Sequence, residues 1–196
     1  MLILFISLFV LVSSAPQGSL PIASFPGECP SIGAVNGFDI QKWASGAWHQ
    51  IYVEASDKIH WNDEQTCVER RYTNEDKELN IEKYYVTKQK PVWKNSKIVL
   101  TDTPGVFNHM PMENATKWYK NTQIYIVDTD YDNYCVAWGC VYDEESNTRL
   151  ETAGISSRTN SLSKEKLEEI SSFFKNKGSE IRFIPVDWSD CRVKCE

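Results

Sequence analysis

The fold of this 196-residue chain is decided by the stretch Asn36-Gly37-Phe38-Asp39-Ile40-Gln41-Lys42-Trp43-Ala44-Ser45-Gly46-Ala47-Trp48-His49-Gln50-Ile51-Tyr52. Its first half mixes apolar and polar residues in a pattern that suits one short helical turn. Gly46 ends that turn, and residues 48–53 have the aromatic and β-branched composition of a strand. The rest of the chain is predicted to form strands that close a cup over Trp48.

The first 15 residues predict a signal peptide. They carry no charge, and residues 2–12 form an almost continuous apolar run that is too short to span a bilayer. Small residues follow up to Ala15, although the usual positive charge before the apolar run is missing. We therefore expect a secreted, extracellular protein that is cleaved after Ala15 or a few residues later. A buried N-terminal strand is the alternative interpretation.

Charge and cysteine content narrow the class of protein. The formal net charge is −6, and an acidic surface repels phosphate backbones, which argues against nucleic acid as a partner. Six cysteines in a secreted chain predict disulfide bonds. The sequence has no Gly-x-Ser-x-Gly, His-Glu-x-x-His or glycine-rich phosphate loop, so its motifs do not favour an enzyme.

The segments after the signal sequence predict one all-β domain. Residues 16–35 are rich in Pro, Ser and Gly and predict an extended arm, and residues 36–196 predict the domain itself. Eight strands, beginning with residues 48–53, recur with turn signals between them. This spacing and the short connections favour an antiparallel up-and-down β-barrel. The other seven predicted strands are residues 67–73, 79–87, 92–101, 106–112, 122–129, 134–142 and 149–157.

A single helix is predicted after the strands. Ser163 is a good N-cap, Leu162 and Leu167 can form a hydrophobic staple, and Gly178 can end the helix. Apolar residues recur at helical spacing after Leu167, so one face is expected to pack on the barrel. Residues 180–185 are a candidate for a last short strand.

Three separated stretches carry a family resemblance. They are residues 37–43 with Gly46-x-Trp48, residues 128–134, and Ser157-Arg158-Thr159 just before the helix. In order and spacing these stretches resemble the lipocalins, and Cys29-Pro30 before the first of them is similar to the apolipoprotein D-like and insect bilin-binding members. The resemblance spans nearly the whole mature chain. It implies an eight-stranded calyx with the C-terminal helix packed on the barrel.

The resemblance also implies structural roles. Trp48 is expected at the closed end of the barrel with Arg158 stacked on it, a cation–π contact of about 1 kcal/mol or more. Two disulfides are implied, Cys29 with Cys140 and Cys67 with Cys191. The remaining cysteines, Cys135 and Cys195, depart from the pattern of four, and either a third bridge or a free thiol is consistent with the sequence.

A barrel of eight strands holds one small ligand, and alternate residues of each strand face it. Family register favours an inward Arg70, which would meet an internal acid such as Glu82 or bind a ligand carboxylate. A position at the rim is the alternative. Three small residues of the predicted strand 149–157 would widen the cavity if they face inward. They are Thr152, Gly154 and Ser156.

The candidate ligand-binding residues come from several strands and one loop. His60 and Trp61 lie in the loop that in lipocalins folds over the open mouth, where they would stack on a ligand or close the lid. For Tyr85 and Trp93, packing on the outer face is an equal expectation. The full set is His60, Trp61, Arg70, Tyr72, Tyr85, Trp93, Ile124 and Ile126.

These observations predict a secreted carrier for a small hydrophobic molecule such as a lipid, retinoid, sterol or bilin pigment, with biliverdin favoured and no cofactor or metal required. One alternative is an interaction protein, either a subunit of a pigment-carrying homo-oligomer or a scaffold for a membrane receptor. Another is an isomerase that uses Cys135 as its pocket thiol. Asn114-Ala115-Thr116 is an acceptor sequence for N-glycosylation.

Overall fold

The computed structural model describes residues 24–55, 65–109, 122–189 and 191. The predicted signal peptide, the start of the arm, His60, Trp61, Asn114 and Cys195 lie outside the described residues. The described elements, in chain order, are β1 (Ser24–Pro26), α1 (Ile40–Ala44), β2 (Ala47–Glu54), β3 (Thr66–Glu75), β4 (Glu78–Thr87), β5 (Lys90–Leu100), β6 (Val106–His109), β7 (Gln123–Thr129), β8 (Tyr134–Asp143), β9 (Thr148–Ser157), α2 (Lys164–Asn176) and β10 (Phe183–Pro185).

Strands β2 to β9 form a closed antiparallel barrel. Each strand pairs with the next along the chain, and β9 pairs with β2 to close the ring. Two short strands lie outside this ring, β1 on β9 and β10 on β2. The predicted eight-stranded up-and-down barrel with one C-terminal helix is therefore confirmed.

Two apolar clusters lie on opposite sides of the barrel wall. The inner cluster fills the closed end, where α1 brings Trp43 against Trp48, Phe107 and Ile126. The outer cluster lies between the wall and α2. Its members include Trp138 and Ile155 of the wall and Ile170 and Phe174 of α2.

Local sequence explains both helices. The Asp39 carboxylate accepts hydrogen bonds from the backbone amides of Gln41 and Lys42, which caps α1. The Ser163 hydroxyl accepts from the amide of Lys166 and caps α2, as predicted. Gly178 follows α2 with a φ of +80°, a left-handed conformation that favours glycine after a helix. No helix among these elements is both long and apolar enough to cross a membrane.

A buried ion pair lies outside the barrel beneath the chain that follows α2. Arg149 Nε donates to Glu151 Oε1 at 2.8 Å, and Glu151 is fully buried. The other carboxylate oxygen of Glu151 accepts from Trp138 Nε1 and from the Ser179 hydroxyl. This network fixes the segment after α2 against β9, away from the barrel interior.

Candidate functional site

The interior of the barrel holds a cavity of about 190 Å³. The wall of the cavity is largely apolar, and the small side chains of β9 widen the cavity on that side. Ile124 and Ile126 line the cavity, as expected from family register, and so do Thr152, Gly154 and Ser156. The other large apolar side chains of the wall are Trp43, Trp48, Ile81, Ile98, Phe107 and Trp138.

Trp48 forms the floor of the cavity and is held from both sides. The guanidinium carbon of Arg158 lies 3.5 Å from the centroid of the Trp48 ring. The Trp48 indole nitrogen donates to the carbonyl of Trp43 at 2.7 Å, which ties the floor to α1. Arg158 also donates to the carbonyls of Ala47 and Tyr131 at 2.9 and 3.1 Å. This arrangement is the one that the resemblance implied for Trp48 and Arg158.

Cys135 lies beside this floor as a buried free thiol. Its Sγ accepts a hydrogen bond from the Trp43 indole nitrogen at 3.0 Å. Burial raises the pKa of Cys135 to about 12, although the Trp43 bond acts in the opposite direction. The third bridge considered for Cys135 is therefore absent from the structure, because this thiol packs against an indole instead of a second sulfur.

The other cysteines form two disulfides, and both pairings are those implied by the resemblance. Cys29 is bonded to Cys140, which attaches the N-terminal arm to β8. Cys67 is bonded to Cys191, which attaches the C-terminal tail to β3.

One wall of the barrel carries positive charge. Arg70 lines the cavity and pairs in register with Lys83 on β4, and Lys83 pairs with Lys94 on β5. Directly opposed side chains on neighbouring strands lie about 5 Å apart at Cβ, so the three cations form a row, the cation row. Burial lowers the pKa of Lys83 to about 6, and repulsion from Arg70 and Lys94 adds to that effect.

Glu82, the acidic residue expected inside the barrel beside Arg70, does not face the interior. Glu82 is exposed and stands opposite Arg71. The inward neighbour of Arg70 on β4 is instead Lys83. The prediction that Glu82 pairs internally with Arg70 was therefore wrong, because strand alternation sends residues 82 and 83 to opposite faces of the sheet.

The structure brings only part of the predicted ligand-binding set together. Arg70 and Tyr72 join the two isoleucines of β7 in lining the cavity. Burial raises the pKa of Tyr72 to about 12. Tyr85 is buried beneath the cation row, with the Lys83 ammonium 4.9 Å from its ring centroid, and is not part of the cavity wall.

Trp93 does not reach the cavity. Its side chain is 65 % exposed and packs on Tyr84, with ring centroids 4.7 Å apart. The two aromatic residues are opposite each other on β4 and β5 and face outward, because the cation row takes the inward positions of these strands. Placing Trp93 in the pocket was therefore wrong.

Sequence reasoning missed several residues of the wall. Ile81 stands between Asn80 and Glu82 on β4, and this alternation could have identified it. Ile98 on β5 is followed by Val99, so alternation does not single it out. Gln50 gives no such signal, because His49 and Gln50 are both buried and the strand shows no alternation there. Among the described residues, no group of three or more His, Cys, Asp or Glu side chains could hold a metal ion.

Comparison with known proteins agrees with this architecture. Residues 45–190 match the model of the lipocalin / cytosolic fatty-acid binding protein family. Insecticyanin-A of Manduca sexta is 24 % identical over 183 residues, which cover 85 % of this chain and 89 % of that protein. The solved structure of insecticyanin from the same species has a TM-score of 0.68 at 21 % identity and covers 87 % of this chain and 91 % of that chain.

A second solved structure, lobster apocrustacyanin A1, also has a TM-score of 0.68 at 21 % identity and covers 88 % of this chain and 96 % of that chain. These structural similarities concern the fold. The match of the family model covers most of the chain and includes the strands that close the barrel. The chain belongs to the lipocalin family.

Proposed function

We propose that this protein is a secreted carrier that binds a small hydrophobic molecule in the barrel cavity. The observation that carries the proposal is the cavity itself, with an apolar wall and a few polar side chains that can orient a ligand. Each square ångström of apolar ligand surface removed from water stabilises the complex by about 25 cal/mol. The uncharged apolar run of residues 1–15 and the two disulfides support secretion.

The cation row favours an acidic ligand. A carboxylate near this row would be attracted by Arg70 and Lys94, and it would favour the protonated form of Lys83, whose pKa burial lowers to about 6. Together with the aromatic floor and the sequence resemblance to insect bilin-binding lipocalins, this favours a planar conjugated molecule with carboxylates. Biliverdin is the ligand that we propose to test first.

Cavity size constrains how such a ligand is seated. Ligand pockets usually measure about 300–1,000 Å³, more than the 190 Å³ of this cavity. A ligand of biliverdin's size therefore has to extend from the cavity toward the open end. Lys83 and Lys94 lie outside the cavity lining, and Lys94 is exposed, so an extended ligand can place its carboxylates near them while its apolar part enters the cavity.

Titration of the purified protein with biliverdin tests the pigment version. Binding predicts quenching of tryptophan fluorescence and a shifted visible absorption band. The dimethyl ester of biliverdin, which lacks the carboxylates, is the matched probe for the cation row and should bind more weakly. Absence of both spectral changes would remove biliverdin as the ligand.

A second candidate function is that of a subunit in a homo-oligomer. The observation in its favour is the exposed Trp93 ring on Tyr84, an aromatic pair on the outer face of β4 and β5. Sedimentation at high protein concentration tests it, with Trp93→Ser as the comparison. A wild-type protein that stays monomeric argues against it.

Catalysis by the Cys135 thiol has less support than the carrier function. A nucleophilic cysteine requires a thiolate, and thiolates are favoured by nearby positive charge and partial exposure. Cys135 is instead buried, with its pKa raised to about 12. We therefore propose a structural role for this thiol.

A further inference from the structure

Gln50 is a polar residue in the cavity wall that makes no side-chain hydrogen bond within the described structure. It is 5 % exposed, and its Oε1 is buried without a partner. The residue lies on β2 two positions after Trp48, opposite Ser156 on β9. Buried amides are normally paired, so an unpaired one inside a cavity is a candidate ligand contact.

The neighbouring strand leaves space for this carboxamide. A Cβ added to Gly154 would lie 2.9 Å from Gln50 Nε2, too close for a side chain to be accepted without movement. Gly154 and Gln50 both line the cavity. The NH₂ end of the carboxamide therefore lies beside another residue of the cavity wall, and Oε1 is the buried atom without a partner.

We propose that the Gln50 NH₂ group donates a hydrogen bond to a carbonyl or carboxylate oxygen on the buried part of the ligand. This inference deepens the proposed carrier function and rests on it. An amide donor beside an apolar floor selects a molecule that carries such an oxygen into the interior over a pure hydrocarbon. Arg70 lines the same cavity and supplies a second donor, so both polar groups select the same chemistry.

Replacing Gln50 with methionine tests the inference, because methionine keeps the length of the side chain and removes both polar atoms. Three probes are titrated by fluorescence: biliverdin and retinal, which carry carbonyl oxygens, and diphenylhexatriene, a polyene without oxygen or nitrogen. Gln50→Met should bind the first two about three- to tenfold more weakly, since a neutral hydrogen bond is lost, and diphenylhexatriene at least as tightly as wild type. Gln41→Met, at an exposed position of α1, is the matched control and should match wild type with all three.

Two further measurements keep the inference falsifiable. Gly154→Ala should displace the carboxamide and weaken retinal binding with Gln50 still present. Gln50→Met should raise the melting temperature of the ligand-free protein by a few degrees, because it removes a buried oxygen that has no partner. A merely structural glutamine would show the opposite, a lower melting temperature and unchanged ligand selectivity.

The outcomes separate this inference from the carrier function. If diphenylhexatriene binds and Gln50→Met leaves retinal and biliverdin affinities unchanged, the hydrogen bond is refuted and the carrier function stands. If none of the three probes binds the wild-type protein, the carrier function falls, and the inference falls with it.

Discussion

Arg158 stacks on Trp48, with its guanidinium carbon 3.5 Å from the centroid of the indole ring. The two residues are 110 positions apart in the chain, on β2 and just after β9. Their contact closes the base of the barrel, because Arg158 also donates to the carbonyl of Ala47 at the start of β2. It thus joins the ends of the first and last barrel strands.

Replacing Arg158 with methionine should destabilise the protein by about 2–3 kcal/mol. The variant loses the cation–π contact and leaves carbonyl oxygens near α1 without their donor. Urea denaturation measures the loss. Arg158→Lys keeps the charge but not the planar fork, so it should recover only part of the stability. A variant as stable as wild type would contradict the structural role.

Replacing Arg149 with methionine should cost about 3–5 kcal/mol, since it leaves the carboxylate of Glu151 buried without its cation. The double variant that adds Glu151→Gln should recover part of this loss. Lys97→Met, which breaks the surface pair with Glu78, is the control and should change stability by less than about 1 kcal/mol. Equal effects of the two single variants would argue against a buried network.

Cys135 should resist alkylation in the folded protein. Burial and a pKa raised to about 12 leave almost no thiolate at pH 8. Iodoacetamide treatment followed by peptide mass spectrometry should find Cys135 unmodified in native protein and modified in denaturant. Rapid modification of this residue in native protein would revive the isomerase hypothesis.

Lys83 should make stability depend on pH. Its pKa is about 6 in the folded protein against an ordinary value of 10.5, so the unfolded chain binds more protons between these values. Stability contributed by this site therefore rises as the pH increases from 6 toward 10.5. Lys83→Met should gain most over wild type at or below pH 6, and the gain should shrink at pH 9. Denaturation at pH 5, 7 and 9 measures it, and a gain independent of pH would refute the depressed pKa.

Much of the fold follows from sequence patterns that act locally. Alternation and turn residues predicted the barrel strands, and Ser163 and Gly178 predicted the limits of α2. The pairing of Arg158 with Trp48 and of the disulfide cysteines came from family resemblance, because nothing local in the sequence joins residues so far apart.

The site was harder to predict than the fold. Each strand offers two faces, and only the register of the closed barrel decides which one lines the cavity. Trp93 was misplaced for this reason, since its aromatic side chain suits either face. Gln50 was missed because β2 is buried on both faces, so its sequence does not alternate between polar and apolar residues. The pairing of β2 with β9 also shifts register between Gln50 and Tyr52.

The central claim, that the barrel interior binds the ligand, is tested most directly by blocking the cavity. Thr152→Phe places a ring in the cavity, and Thr73→Phe, at an exposed position of β3, is the matched control. Fluorescence titration with biliverdin and diphenylhexatriene should give one saturable site in wild type and Thr73→Phe, and at least a tenfold weaker site in Thr152→Phe. Unchanged binding by a folded Thr152→Phe would place the ligand elsewhere and contradict the account.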